Sequence, residues 1–320
     1  EIRLSLVGSE MCIRDSRGPG GHIVRIDLHT HSTISDGTDS PTRLMMKAAG
    51  SGLDVVALTD HDTFDGLEEA QAAGQRFGVR LLPGFEMTCH IGGRDVHLLG
   101  YGARPDDPVL GRELQATRAS RAGRLDAICQ RLSDAGMTVT IDDVHRTSGS
   151  ASSLGRPHVA DAMVAKGYVE DRDEAFRDWL SDGKPAYVPR RSVALEEGID
   201  LIHNAGGVAV LAHPWGRGAQ QDLTPQVIAS LSAYHQLDGI EVEHQDHDQV
   251  ARRMLFDLGG RLGLVRTGAS DYHGSGKRDH ELGCNVTRET AYRELVTRIQ
   301  LRGGVPVSYT HLTLPTIYSV

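Results

Sequence analysis

The chain has 320 residues, 39% of them apolar and 24% charged, with a formal net charge of −9. This is the composition of an ordinary globular protein with length for one large or two smaller domains, and its acidity excludes coating of nucleic acid by the whole surface. No apolar run approaches the ~20 residues that span a bilayer, and no basic-then-apolar leader opens the chain, so no membrane association is expected.

Four cysteines (Cys12, Cys89, Cys129, Cys284) form no C-x-x-C pair and no dense framework, which predicts a reducing, cytoplasmic setting. The two ends, "EIRLSLVGSEMCIRDS" (1–16) and "VSYTHLTLPTIYSV" (307–320), lack a periodic face and resemble translated adapter sequence. Residues 1–23 and 307–320 are therefore expected to be non-native or disordered, leaving a domain over 24–306.

In chain order, seven short branched-rich runs read as buried parallel strands: "IVRIDLHTH", "LDVVALTDHD", "VRLLPGFEM", "RDVHLLGYG", "GGVAVLAHP", "DGIEVEHQD" and "GLVRTGASDYH". Helical patterns separate many of them. They include "SPTRLMMKAAGSG", with Ser40 as N-cap and Pro41 at the first helical position, "FDGLEEAQAAGQRFG", "LEEGIDLIHNAGG" and "DQVARRMLFDLGGRLG". Alternating strand and helix predicts a (β/α) barrel. Residues 108–192 interrupt it with a largely helical inserted subdomain. Its first helix carries Arg112, Arg118, Arg121, Arg124 and Arg131, read as a solvated face laced with i,i+4 pairs.

Metal-competent side chains stand at six of the seven strand ends. After the first come Asp27, His29, His31 and Asp36; after the second Asp60, His61 and Asp62; then Glu86, His97 within the fourth run, His213, and finally Asp271 and His273. Barrel strand ends share one mouth, so residues distant in sequence converge there, and His29 and His31 share parity on their strand. Any one of these is ordinary alone: a lone His is more often a surface or core residue, and Asp60 is placed to cap the following helix. Six together point to a metal centre. The remaining run, with Glu241, Glu243, His244, Asp246 and His247, reads as supporting or surface residues. Mixed imidazole and carboxylate donors without paired thiolates suit Mn, Fe or Zn in an open catalytic site. The candidates outnumber one ion's needs, which predicts two or three divalent metals, Mn²⁺ first. Clustered metals activate a bridging hydroxide and clamp the attacking and leaving oxygens of a phosphate ester.

The set "DLHTHSTISDG", "ALTDHDT", "GFEM", "VHLLGYG", "LAHP" and "SDYH" resembles the PHP (polymerase and histidinol phosphatase) metallo-phosphoesterase family from residue 24 to about 285. "LGRPHVADAMVAKGYV", "FRDWLSDGKPAYVP" and "AGGVAVLAHPWG" are similar to its stand-alone bacterial members, which act on nucleoside 3′,5′-bisphosphates or trim RNA 5′→3′. The resemblance implies a distorted (β/α)7 barrel and a trinuclear site. It implies His29, His31, Glu86 and Asp271 around one metal, Glu86 bridging to a second completed by His97 and His213, and Asp36, His61 and His273 around a third. Asp27 and Asp60 are expected to orient imidazoles or shape the turn.

On the substrate side the resemblance implies Arg156 as a phosphate fork and His158 as a phosphate or leaving-group contact, with Lys184 and Arg191 as further candidates and His213 among the catalytic residues. "GRPH" read by itself is a helix start with Pro157 in the first turn. Trp215 is expected near the mouth, where it departs from the family's "HPGRY" pattern. The expected partner is a small nucleotide or short RNA; no stable protein partner is expected. The alternatives are a histidinol-phosphate phosphatase, which the "RPH" insert disfavours, and a non-catalytic regulatory PHP domain, which the complete donor set disfavours.

Overall fold

A computed structural model describes residues 23–148, 154–181, 183–189 and 191–305. The terminal segments singled out above, but for residue 23, lie outside the described residues. In order the elements are β1 (Ile26–Thr30), α1 (Pro41–Gly50), β2 (Val55–Leu58), α2 (Leu67–Phe77), β3 (Arg80–Ile91), β4 (Arg94–Tyr101), α3 (Pro108–Asp134), α4 (Ile141–Ser148) and α5 (Arg156–Ala165). There follow α6 (Arg172–Ala175) with a π-turn (Phe176–Leu180), β5 (Val193–Ala194), α7 (Leu195–Asn204), β6 (Val208–Leu211), a 3₁₀ turn (Gly216–Gln221), α8 (Pro225–His235), β7 (Gly239–Glu243), α9 (Gln249–Leu262), β8 (Val265–Gly268) and α10 (Glu289–Leu301).

All seven predicted runs form strands, in the order β1-β2-β3-β4-β6-β7-β8, with the short β5 added beside β3. The sheet curls until β1 meets the chain after β8, where the His31 N–H donates to the Tyr272 carbonyl at 2.8 Å. The result is a distorted (β/α) barrel.

One strand departs from the all-parallel expectation. β4 is antiparallel to both β3 and β6, because Gly92 and Gly93, both at positive φ, reverse the chain in a two-residue turn. The N-terminal half of β4, not its C-terminal end, therefore reaches the mouth.

Local signals place the helices. Ser40 caps α1 by accepting the Arg43 N–H at 3.2 Å, and Asp248 caps α9 through the Ala251 N–H at 2.7 Å. Asp60 caps nothing: the residue before α2 is Gly66, with no side-chain cap. Apolar residues of β1, β2, β3, β4, β6 and β8 pack with Tyr292, Leu295 and Ile299 of α10 in one cluster. The segment between β4 and β5 has a separate apolar cluster that includes Ile128, Leu132, Val144, Val159, Met163 and Leu180. α3 spans both regions, since its Leu110 and Leu114 belong to a barrel cluster. Of its arginines, Arg112, Arg118 and Arg131 are exposed, as a solvated face requires, while Arg124 is buried. Arg118 reaches Thr63 Oγ1 at 2.9 Å and Arg124 donates to the Val188 carbonyl at 2.8 Å, so they tie the helix to its surroundings. Among the described residues no helix is long and apolar enough to cross a membrane.

Candidate metal centre

Glu86 is the hub. Its Oε2 lies 3.4 Å from His29 Nε2, 3.2 Å from His31 Nε2 and 3.1 Å from His61 Nδ1, while Oε1 lies 2.8 Å from His97 Nδ1 and 3.3 Å from His213 Nε2. Five histidines from four strands or their ends thus meet one carboxylate. The pairing of Thr88 with His97 in the β3–β4 register explains how β4 contributes: Glu86 and Thr88 share a face of β3, and cross-strand partners share a face of the sheet.

Three donor groups radiate from this hub. His29, His31 and Asp271 form one; His61, Glu86 and His97 another; His31, Asp36, His61 and His273 a third. Asp271 Oδ1 is 3.5 Å from both His29 Nε2 and His31 Nε2, and Asp36 lies 3.4 Å from His61 and 3.2 Å from His273. Every one of the nine expected ligands is in this cluster. Backbone geometry is unusual here, with Asp62, His213 and Asp271 at positive φ, conformations that cost non-glycine residues ~1–3 kcal/mol and collect at functional sites. A side chain on Gly37 would collide with the His31 carbonyl, so glycine lets the turn carrying Asp36 fold back onto the strand.

The electrostatics suit cations. Burial pushes the Glu86 carboxyl up, but His97, His61 and His29 outweigh it and hold it well below the usual range. Burial acts the same way on Asp271, where His29 and His244 prevail, and on Asp36, where His61 and His273 do. Burial, reinforced by His273, brings His31 down to about 3, and burial brings His213 down to about 4. Burial lowers His29 too, but Asp271, Glu86 and Glu241 raise it well above its ordinary value.

The residues present fit divalent metals. His29 Nε2 faces His31 Nε2 at 3.1 Å, beside Glu86 Oε2 and Asp271 Oδ1, and His61 Nδ1 is buried without hydrogen-bond geometry to any partner among the described residues. Imidazole nitrogens and carboxylate oxygens converging in this way are the donors a divalent cation takes.

Asp60 and Asp27 bind backbone and hydroxyl groups rather than ligand side chains. Asp60 accepts Ser32 N–H at 2.8 Å and the Ser35 hydroxyl at 2.6 Å, shaping the turn that carries Asp36. Asp27 accepts the Ser270 N–H at 3.0 Å, and burial raises it to about 6. Glu241 and His244, expected as supporting or surface residues, are both fully buried beside the cluster. The chain signal was their place at a strand end.

A cavity of about 810 Å³ opens at the cluster, lined by Asp36, His61, His97, His213 and His273 of the barrel together with Arg124, Leu125, Ile128, Arg156 and His158 of the insert. Pro157 does sit in the first turn of α5, so the "GRPH" helix start and the cavity wall are the same structure. Arg156 packs 5.7 Å from the Tyr187 ring centroid and His158 Nδ1 accepts the Gly155 N–H at 3.0 Å. Lys184 and Arg191 lie outside this lining; Arg191 instead pairs with Glu113 at 2.8 Å. Trp215 is not at the mouth either. It is 6% exposed in a barrel cluster, and its indole N–H donates to the Leu223 carbonyl at 2.8 Å, because the chain after His213 turns inward.

Fold and site are those of a metal-dependent phosphoesterase. Residues 27–170 match the PHP domain. A 3′,5′-nucleoside bisphosphate phosphatase of Chromobacterium violaceum is 34% identical, over 82% of this chain and 91% of its own length. A 5′-3′ exoribonuclease of Haemophilus influenzae is 33% identical over 78% and 90%. A solved metal-dependent phosphoesterase from Bifidobacterium adolescentis matches with a TM-score of 0.73 and 36% identity, covering 85% of this chain and 96% of that one. The chain belongs to the PHP family, whose members of this type hydrolyse phosphate esters.

Proposed function

We propose that the protein hydrolyses phosphate esters of nucleotides, a nucleoside 3′,5′-bisphosphate or the 5′ end of a short RNA, with two or three divalent cations, Mn²⁺ first. The observation that carries this reading is Glu86 touching five histidines at a cavity that arginines also line. His29, His31, Glu86 and Asp271 would hold one ion, Glu86, His97 and His213 a second, and Asp36, His61 and His273 a third. Bound divalent cations supply Lewis acidity and neutralise charge on a phosphoryl group.

The chain's own residues do the rest. Arg156 offers its planar fork to non-bridging phosphate oxygens, and His158, half-buried on the same helix turn, would give a proton to the leaving oxygen. Leu125 and Ile128 form an apolar wall for a nucleoside. Segment 108–192 serves as a lid on the barrel domain 24–306, excluding water from the reacting phosphate. Lys184 and Arg191 would join the substrate only through movement of that lid. The names of the two relatives above support the nucleotide class.

The test is turnover by the manganese-loaded protein of adenosine 3′,5′-bisphosphate, a 5′-phosphorylated oligoribonucleotide and histidinol phosphate. Release of phosphate or mononucleotide from either of the first two is expected. Turnover of histidinol phosphate alone, or full activity in a His29→Ala/His31→Ala protein that retains no metal, overturns the proposal.

A further inference from the structure

β7 ends in no expected ligand, yet it touches ligands from three other strands. Glu241 engages both carboxylate oxygens: Oε1 lies 3.3 Å from His29 Nδ1, and Oε2 accepts the His213 N–H at 2.8 Å. The first contact sets the His29 tautomer. Nδ1 donates to Glu241, so Nε2 is the nitrogen left to offer its lone pair to a cation beside Glu86 and Asp271. The second contact pins the His213 backbone at φ +27°, a conformation that does not persist unless its surroundings enforce it.

Three residues on, His244 acts alike on Asp271. Its Nδ1 accepts the Asp246 N–H at 3.0 Å, so Nε2 carries the proton and donates to Asp271 Oδ2 at 3.2 Å. Lys277 binds the same oxygen. Oδ1 is thereby left to face His29 and His31, each at 3.5 Å. With both ring nitrogens engaged, His244 is itself a poor ligand, although it lies close to Asp246 and His280.

The geometry points to Glu241 and His244 as positioning residues, a paired support on β7 that aims His29, His213 and Asp271 at the metal cluster. The inference rests on the ligand set proposed above. Neither residue contacts the substrate or supplies a metal bond; each acts through the ligand it holds.

The experiment is calorimetric titration of Mn²⁺ into the metal-stripped full-length wild type, Glu241→Gln, His244→Gln and His244→Leu, with melting temperatures in EDTA. Glutamine at 241 keeps the shape but turns an NH₂ group toward one of two donors. Mn²⁺ affinity is expected to fall roughly 10–100-fold while the EDTA melting temperature stays near wild type. Glutamine at 244 keeps a donor toward Asp271 and is expected to retain affinity; leucine loses at least about 10-fold. Wild-type Mn²⁺ affinity in folded Glu241→Gln, or equal losses in both His244 variants, overturns the inference. If Glu241→Gln does not fold, the His244 pair decides. A wild type that binds Mn²⁺ but turns over no phosphate ester defeats the proposed function alone, and the affinity comparison still decides this one. A wild type that binds no Mn²⁺ defeats both.

Discussion

His97 Nδ1 lies 2.8 Å from Glu86 Oε1 across two antiparallel strands, and the other oxygen of Glu86 faces His29, His31 and His61. One carboxylate therefore serves both sides of the cluster. Glu86→Gln replaces one of those oxygens by a donor that repels a cation. Phosphoesterase activity is expected to fall by more than ~100-fold, beyond the ~10–100-fold typical of residues that only support ligands. Metal analysis of the purified variant should show fewer bound ions than wild type.

Metal binding and folding should be linked. The donors of the cluster converge only in the folded chain, so an ion that they hold stabilises the fold. With free Mn²⁺ at 100 times its dissociation constant the gain is about 2.7 kcal/mol. Thermal melts with and without EDTA should show an upward shift on Mn²⁺ addition, and chelation should abolish activity reversibly.

Arg156→Lys keeps the charge at the cavity wall but removes the planar fork. Because a charge-assisted hydrogen bond contributes ~1.5–3 kcal/mol, kcat/KM for a nucleotide substrate is expected to drop roughly 10–100-fold. Steady-state kinetics check this, and metal content should not change.

Asp238 is 1% exposed and accepts from His203 Nε2 at 2.8 Å, the Ala209 N–H at 2.9 Å and Arg302 Nη1 at 2.7 Å. Burial pushes its carboxyl up, but His203, Ala209 and Arg302 outweigh burial and hold it below its ordinary value. A depressed folded-state pKa means that its stabilisation is fully present above the unfolded value near 4 and is lost as pH falls through the folded value. Asp238→Asn should cost about 3–5 kcal/mol at neutral pH, and the gap from wild type should narrow in urea melts carried below pH 4.

Trp215→Phe removes the indole donor to Leu223 and part of the buried ring. The expected cost is ~1–3 kcal/mol in stability, with KM unchanged because the ring does not line the cavity. A shifted KM would return Trp215 to the mouth.

Much of the molecule was legible along the chain. Ser40–Pro41 announced α1, branched runs bounded by polar turns announced all seven principal strands, and the donors after those runs announced the cluster. These signals are local: capping, strand period and side-chain chemistry act within a few residues. Even "GRPH" was readable as a helix start.

Other features depended on residues far apart in sequence. The direction of β4 follows from a tight turn and from pairing with β6, and it decides that His97 arrives from the strand's first half. Arg156 reaches the cavity while Arg191 pairs with Glu113, although both are exposed-type residues of one insert. Trp215 and Glu241 show the same limit from opposite sides. A residue beside a ligand turned into the core, and an acid set aside as supporting or surface holds two ligands at once. Sequence by itself determined which donors this protein has and that they stand at strand ends; only the tertiary structure decided which of them meet and which neighbours aim them. Ligand chemistry is a property of a residue, whereas convergence is a property of how strands far apart in the chain pair and close.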